Sequence, residues 1–312
     1  MREASAFSPG HITGFFQICD EPEDPLLKGS RGAGVCLSKG VHTTVQLEPA
    51  AKNSLKVRIN ECPTDSAVVS EYVVKTMLAR AKENYRVTVD HRVEVPIGRG
   101  MGTSGAGALS LAVALNEALG LNLSREEVGQ VAHIADADCR TGLGTVIAEA
   151  YGGMEIRVKP GAPGIGEVVK IPLGGEYIVV CLPFGSLSTR TILTDEVYRK
   201  RINELGDLFV RDFLPKPTPE EFMRLSRSFA EHVGLITERV REVLKEADGA
   251  GLPCSMPMFG EAAFSLLKRG DAEDLLEIFK RQQAPSIRIS EMEEGIPSII
   301  LAEVDEKGVR LV

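Results

Sequence analysis

Between residues 98 and 107 the chain places five glycines, with Thr103 and Ser104 among them, and then runs into an apolar helical pattern as far as Leu119. Glycine loses more conformational entropy on folding than any other residue, so such a cluster must supply something only glycine permits. Anion binding is the first candidate. A helix N-terminus offers free N–H groups and a partial positive charge, and glycines let a phosphate approach the backbone. A tight strand-to-helix connection without ligand is the alternative for this loop by itself.

Gly100 to Gly105, "GMGTSG", matches G-x-G-x-x-G, but the context is wrong for a dinucleotide-binding fold. The strand before it alternates polar with apolar residues, whereas a central parallel strand is nearly all apolar. The element after its helix is a second helix, so no strand supplies a ribose-binding acid about twenty residues on. No lysine precedes Thr103 and Ser104, which excludes a Walker A loop. The absence of H-R-D and D-F-G sequences excludes a protein-kinase loop.

The elements around the loop read as a mixture. "GVHTTVQLEP" (40–49), "LKVRIN" (55–60) and "YRVTVDHRVEV" (85–95) alternate as half-buried strands do, and 66–83 carries apolar residues at helical spacing. Ser124 and Glu127 form a capping box at the start of the helix after the loop helix. "GGMEIRVK" (152–159) returns to a strand, and "PGAPGIGE" (160–167) is the best boundary, which divides the chain into 1–160 and 161–312. Beyond it come a strand at 176–183, a helical region capped by Thr218 that runs to about Leu244, a helix at 272–282, and strands near 286–290, 297–304 and 308–312. Strands and helices without regular alternation predict an α+β fold.

Composition narrows the partners. A chain of 312 residues suits two domains or one large one. With a net charge of −8, a nucleic-acid partner is not expected, although a small anion needs only a local positive site. The six cysteines show no C-x-x-C pair, which speaks for buried thiols rather than disulfides or zinc. His11, His42, His91 and His232 show no ligand spacing. No apolar run is long enough for a membrane helix, and no leader pattern opens the chain, so a soluble cytoplasmic protein with no membrane partner is expected.

Three stretches in order carry a resemblance. Pro96-x-x-x-Gly100-Met101-Gly102-Thr103-Ser104-Gly105-Ala106 resembles the P-x-x-x-G-L-x-S-S-A signature of the GHMP small-molecule kinases. "FSPGHITGFF" (7–16) is similar to their N-terminal motif, and "YGGMEIRV" (151–158) to the strand after their catalytic segment. With "GSRGAGVCLSKGV" (29–41) and "RTGLGTVIAEAYGG" (140–153), the chain resembles the archaeal pantoate kinases in particular. The resemblance implies a GHMP kinase fold, with an N-terminal domain like ribosomal protein S5 domain 2 and a ferredoxin-like C-terminal domain. It implies ATP and Mg²⁺ as cofactors, pantoate as substrate, and 4-phosphopantoate for coenzyme A synthesis as product. A homodimer is consistent with it, though no stretch identifies an interface.

The resemblance also assigns roles. Gly98, Gly100, Met101, Gly102, Thr103, Ser104, Gly105 and Ala106 would cradle the ATP phosphates, and Ser104 would meet Mg²⁺. Asp136 stands where the family has a metal-binding glutamate, with Asp138 in reserve. Thr145 is a departure, because "TGLGT" stands where these kinases carry "TGLGD" with an aspartate base. Threonine is no base at neutral pH. Base-free chemistry, a replacement carboxylate such as Asp136 or Asp138, and an inactive protein all stay open. Arg157 and Arg190 suit the substrate carboxylate through a forked contact. His133 and Ser30 would add hydrogen bonds, and Ser255 and Gly260 fall in a loose match to the family's third motif. The rival readings are a kinase for another small alcohol, of the mevalonate or homoserine type, and a GHMP-fold binding protein without catalysis.

Overall fold

The computed structural model describes residues 2–187, 189–283 and 299–312. The first part of the chain runs β1 (Arg2–Cys19), β2 (Gly29–Pro49), β3 (Ser54–Ile59), β4 (Cys62–Thr64), α1 (Val68–Leu78), β5 (Tyr85–Val93), α2 (Thr103–Leu119), α3 (Arg125–Asp138), α4 (Thr145–Tyr151), β6 (Met154–Lys159) and β7 (Glu167–Ile171). The remainder runs β8 (Tyr177–Ser186), α5 (Thr189–Thr194), α6 (Glu196–Phe213), α7 (Pro219–Val233), α8 (Glu238–Gly249), β9 (Gly260–Lys268), α9 (Ala272–Gln283), β10 (Ile300–Glu303) and β11 (Arg310–Leu311). The fold is α+β, as the mixed pattern predicts.

Two long antiparallel strands form its spine. β2 pairs with β5 through residues 41–49 and with β6 through residues 32–35, so one strand feeds two branches of the larger sheet. The β1–β2 register shifts between Pro9 and His11 and again between Thr13 and Phe15. Such irregularities re-aim side chains, and here they bracket two residues that face the candidate site. The sequence pattern does not reveal β1, because its residues 6–11 are all buried and show no alternation.

A first core fills the space between the sheet and α1, α2 and α3, with Val45, Leu47, Val87 and Val89 facing Leu111 and Leu115. A second core joins the antiparallel sheet β10-β8-β9 to α6–α9 and to the far end of β1. Phe15 is its hinge piece, edge-on to Phe209 and Phe213 at ring separations of 5.9 and 5.6 Å. Such aromatic pairs add about 0.5–1.5 kcal/mol each beyond area burial.

Caps fix several helix starts. The Ser124–Glu127 box closes in both directions, and Thr218 accepts the Glu221 N–H at 3.2 Å. The helical pattern expected from Thr218 to Leu244 is two helices, because Gly234 takes a left-handed φ of 79° and ends α7. At the expected boundary, β7 continues the first sheet by pairing with β6, and β11 returns to pair with β1. The expected strand at 286–290 lies outside the described residues. No helix among the described residues is long and apolar enough to cross a membrane.

Candidate active site

α2 begins at a bare N-terminus. Its N-cap is Gly102, at φ 62°, and no side chain caps the first turn, which also contains no acidic residue. A side-chain cap is what most helices use at this point. The first intrahelical bond of this turn is made by Ala106 N–H to Gly102 O at 3.0 Å, so the N–H groups before it stay available. Gly98 and Gly100 also take positive φ, of 74° and 78°. The loop therefore holds a conformation that side chains resist, and it leaves a positive helix end open.

Neighbouring segments hold this loop from two sides. His11 N–H donates to Met101 O at 3.0 Å, and Met258 N–H donates to Thr13 O at 3.1 Å. Gly260 packs directly against the Arg99–Gly100 backbone, where a Cβ would have no room. The 252–264 segment thus shapes the loop through backbone contact. Ser255 is fully buried, with an unpartnered hydroxyl, and stands off the cleft wall.

Loop, spine and the 140–145 turn enclose a cleft of about 480 Å³. Gly98, Gly100, Met101, Gly102, Thr103 and Ser104 line it on one side, while Ser30, Thr141 and Thr145 line it elsewhere. Gly105 and Ala106 belong to the same helix turn but are buried and lie off the cleft wall. Ser104 Oγ donates to Thr141 O at 3.4 Å, and Thr103 Oγ1 donates to Pro96 O at 3.4 Å. Ser30 backs onto Gly144, beside Thr145.

Asp136 lies behind this wall. Thr141 Oγ1 donates to its Oδ1 at 2.7 Å, and its Oδ2 has no partner. Burial raises its carboxyl above the usual range, and the Thr141 and Ser104 hydroxyls pull the other way. Asp138 is different. It is exposed and accepts from Tyr72 OH at 2.9 Å, away from the loop.

Two expected substrate contacts, His133 and Arg157, do not line the cleft. His133 is buried, with Nε2 3.2 Å from Pro25 O, and does not line the cleft. Burial depresses its pKa, which keeps it a neutral tie between α3 and the 20–28 segment. Arg157 is also buried, paired to Glu155 Oε1 at 2.6 Å through Nη1. A buried carboxylate and guanidinium must pair, and that demand removes Arg157 from the cleft wall. Arg190 is the second residue of α5, and its side chain lies outside the described residues.

Two residues escaped sequence reasoning. His11 lines the cleft and bonds Glu155 Oε1 at 2.8 Å, so it links the wall to the buried ion pair. Burial outweighs the Glu155 charge and lowers its pKa, so a neutral ring donates Nε2–H to Glu155 and accepts from Thr13 at Nδ1, 3.3 Å away. Arg140 is the one lysine or arginine among the described lining residues, at a φ of 56°. Its place beside Thr141 was the only sequence signal for it.

This geometry, a glycine loop feeding an uncapped helix end on an α+β scaffold, is that of a phosphate-binding site, and the chain's relatives place it among the GHMP kinases. Residues 68–153 match the family model described as the GHMP kinases N terminal domain. A pantoate kinase of Methanocaldococcus jannaschii is 36% identical, over 88% of this chain and 96% of the relative. A pantoate kinase of Thermococcus kodakarensis is also 36% identical, over 90% and 93%. A solved structure described as a phosphotransferase related to the CoA biosynthesis pathway superposes with a TM-score of 0.86 at 31% identity, covering 99% of this chain and 98% of its own. The chain belongs to the pantoate kinase family.

Proposed function

We propose that the protein transfers the γ-phosphoryl group of ATP to the primary hydroxyl of pantoate, giving 4-phosphopantoate for coenzyme A synthesis. The open N-terminus of α2 carries this reading, because it presents unpaired N–H groups and no competing side chain to the cleft. Phosphoryl transfer asks mainly for positioning and charge stabilisation, and such a helix end supplies both.

The loop amides from Gly100 to Ser104 hold the phosphates, and the Ser104 hydroxyl fixes their orientation. Mg²⁺ fits the oxygen donors at hand, since Asp136 has an unpartnered buried oxygen and Ser104 stands beside it. When bound, the ion neutralises charge developing on the phosphates. Arg140 supplies a cation at the cleft for the substrate carboxylate or the phosphates. Ser30 and the His11–Thr13 pair orient the acceptor.

ATP consumption in a coupled ADP assay, with pantoate, mevalonate, homoserine or no acceptor, tests the proposal. Turnover dependent on pantoate is the expected result. Turnover only with another alcohol would reassign the substrate, and nucleotide binding without any turnover would make this a binding protein.

A further inference from the structure

Glu149 is a buried carboxylate that the reaction as described leaves idle. Its side chain is fully enclosed, neither carboxylate oxygen is held by a hydrogen bond of normal geometry, and the Thr145 hydroxyl is the donor that acts on it. A buried carboxylate without a firm partner is expensive, and a leucine of similar size would avoid the cost. Its position is specific. Glu149 follows Thr145 by one turn of α4, so both side chains stand on the same helix face.

That face lies beneath the first turn of α2. A Cβ on Gly102 would stand 2.5 Å from Glu149 Oε1, and one on Gly105 would stand 2.6 Å from Oε2 and 2.9 Å from Thr145 Oγ1. The carboxylate and the threonine hydroxyl therefore converge on one spot under the phosphate loop. Thr145 lines the cleft, while Glu149 does not. Gly102 lines the cleft above Glu149 as well, but of the two Thr145 alone carries a hydroxyl that can hand on a proton.

We infer that Glu149 acts through Thr145 as the proton acceptor of the transfer: Thr145 Oγ1 takes the proton of the attacking hydroxyl while its own proton passes to Glu149. The inference rests on the kinase reading given above. In the step, a bond forms between the acceptor oxygen and the γ-phosphorus. The bond from that phosphorus to the β–γ bridging oxygen breaks, and its electron pair leaves with ADP. The proton resides on Glu149 and returns through Thr145 to water once product has left.

The surroundings suit a proton acceptor. Burial above all, with the Asp136 charge on α3 adding to it when no ion neutralises that carboxylate, raises the Glu149 carboxyl well above the usual range. The Thr145 hydroxyl and the Arg157 charge on β6 pull the other way. On β2, Cys36 is a thiol held neutral by its own burial, and His11 on β1 packs against Gly102 as a neutral ring. The open end of α2 favours negative charge at this point. A base works best when its pKa approaches the working pH. Only the ionised form accepts a proton, so the rate falls as pH drops through the raised value.

The test is kcat against pH at saturating ATP, Mg²⁺ and pantoate, for the parent, Glu149→Gln, Thr145→Val, and Glu149→Gln combined with Thr145→Asp. The parent should lose rate on the acid side at a pH above the ordinary glutamate range. Glu149→Gln should lower kcat about a hundredfold and remove that limb, with KM for ATP changed less than about twofold. Thr145→Val, at a half-exposed position, should lose a similar factor and carries the test if the glutamine variant does not fold. Adding Thr145→Asp puts a carboxylate on the cleft wall itself, and should recover at least about tenfold over Glu149→Gln. Parent-like rate and acid limb in either single variant would overturn the inference while leaving the function intact. A parent inactive on pantoate would overturn the function, and this inference with it.

Discussion

Ser104 and Arg157 are two polar residues near the cleft with opposite demands. Ser104 borders the open helix end, and its hydroxyl has a 3.4 Å contact to the Thr141 carbonyl and its pull on Asp136 to lose. Ser104→Ala should leave the melting temperature within a few degrees while kcat falls by roughly 30- to 1,000-fold, the cost of one contact in a preorganised site. Steady-state kinetics on the purified variant checks this, and near-parent turnover would remove Ser104 from the site. Arg157 is committed to Glu155 inside the protein. Arg157→Met would strand that carboxylate, and should destabilise the fold by about 3–5 kcal/mol in urea unfolding. A loss below about 1 kcal/mol would show that the arginine is not structural.

At the scale of elements, the glycine loop gets its shape from a strand and a segment more than a hundred residues further on. The Gly260 contact on the Arg99–Gly100 backbone is the tightest of these supports. Gly260→Ala should push the loop out of register and raise KM for ATP several-fold, with a smaller effect on KM for pantoate. Equal effects on both constants would mean that the loop does not serve the nucleotide. α3, which positions Asp136, depends on its capping box instead. Ser124→Ala should cost about 1 kcal/mol of stability, readable as a lower midpoint in denaturant at unchanged kcat.

Across the whole molecule, the first core holds a third buried histidine. His91 is held by Thr43 at 2.8 Å and Ser70 at 3.0 Å, and burial depresses its pKa to about 4 despite the Asp90 charge. The unfolded histidine keeps an ordinary value near 6.5. Between the two, the unfolded chain binds the extra proton, so stability is complete above about pH 6.5 and falls as pH drops toward 4. The full effect is about 3 kcal/mol. Urea unfolding at pH 7 and pH 4.5 should show His91→Gln losing less stability on acidification than the parent. The same loss in both would place the acid sensitivity elsewhere.

What the sequence determined by itself was local. Five glycines before an apolar period, the Ser124 and Thr218 caps and the alternation of β3 and β5 each follow from neighbours a few residues apart, and they led to the α+β class and the phosphate loop. The 7–16, 96–106 and 140–153 stretches added the family. Long-range pairing decided the rest. β1 is buried along much of its length, so its pattern carried no period to read. Arg157 and Glu155 are two residues apart on one strand, yet only the enclosure of both by the fold forces them to pair and withdraws the arginine from the cleft. Nothing in the local sequence distinguishes Glu149 from other helix glutamates. Its meaning comes from the packing of α4 under α2, which takes its carboxylate out of water and sets it behind Thr145.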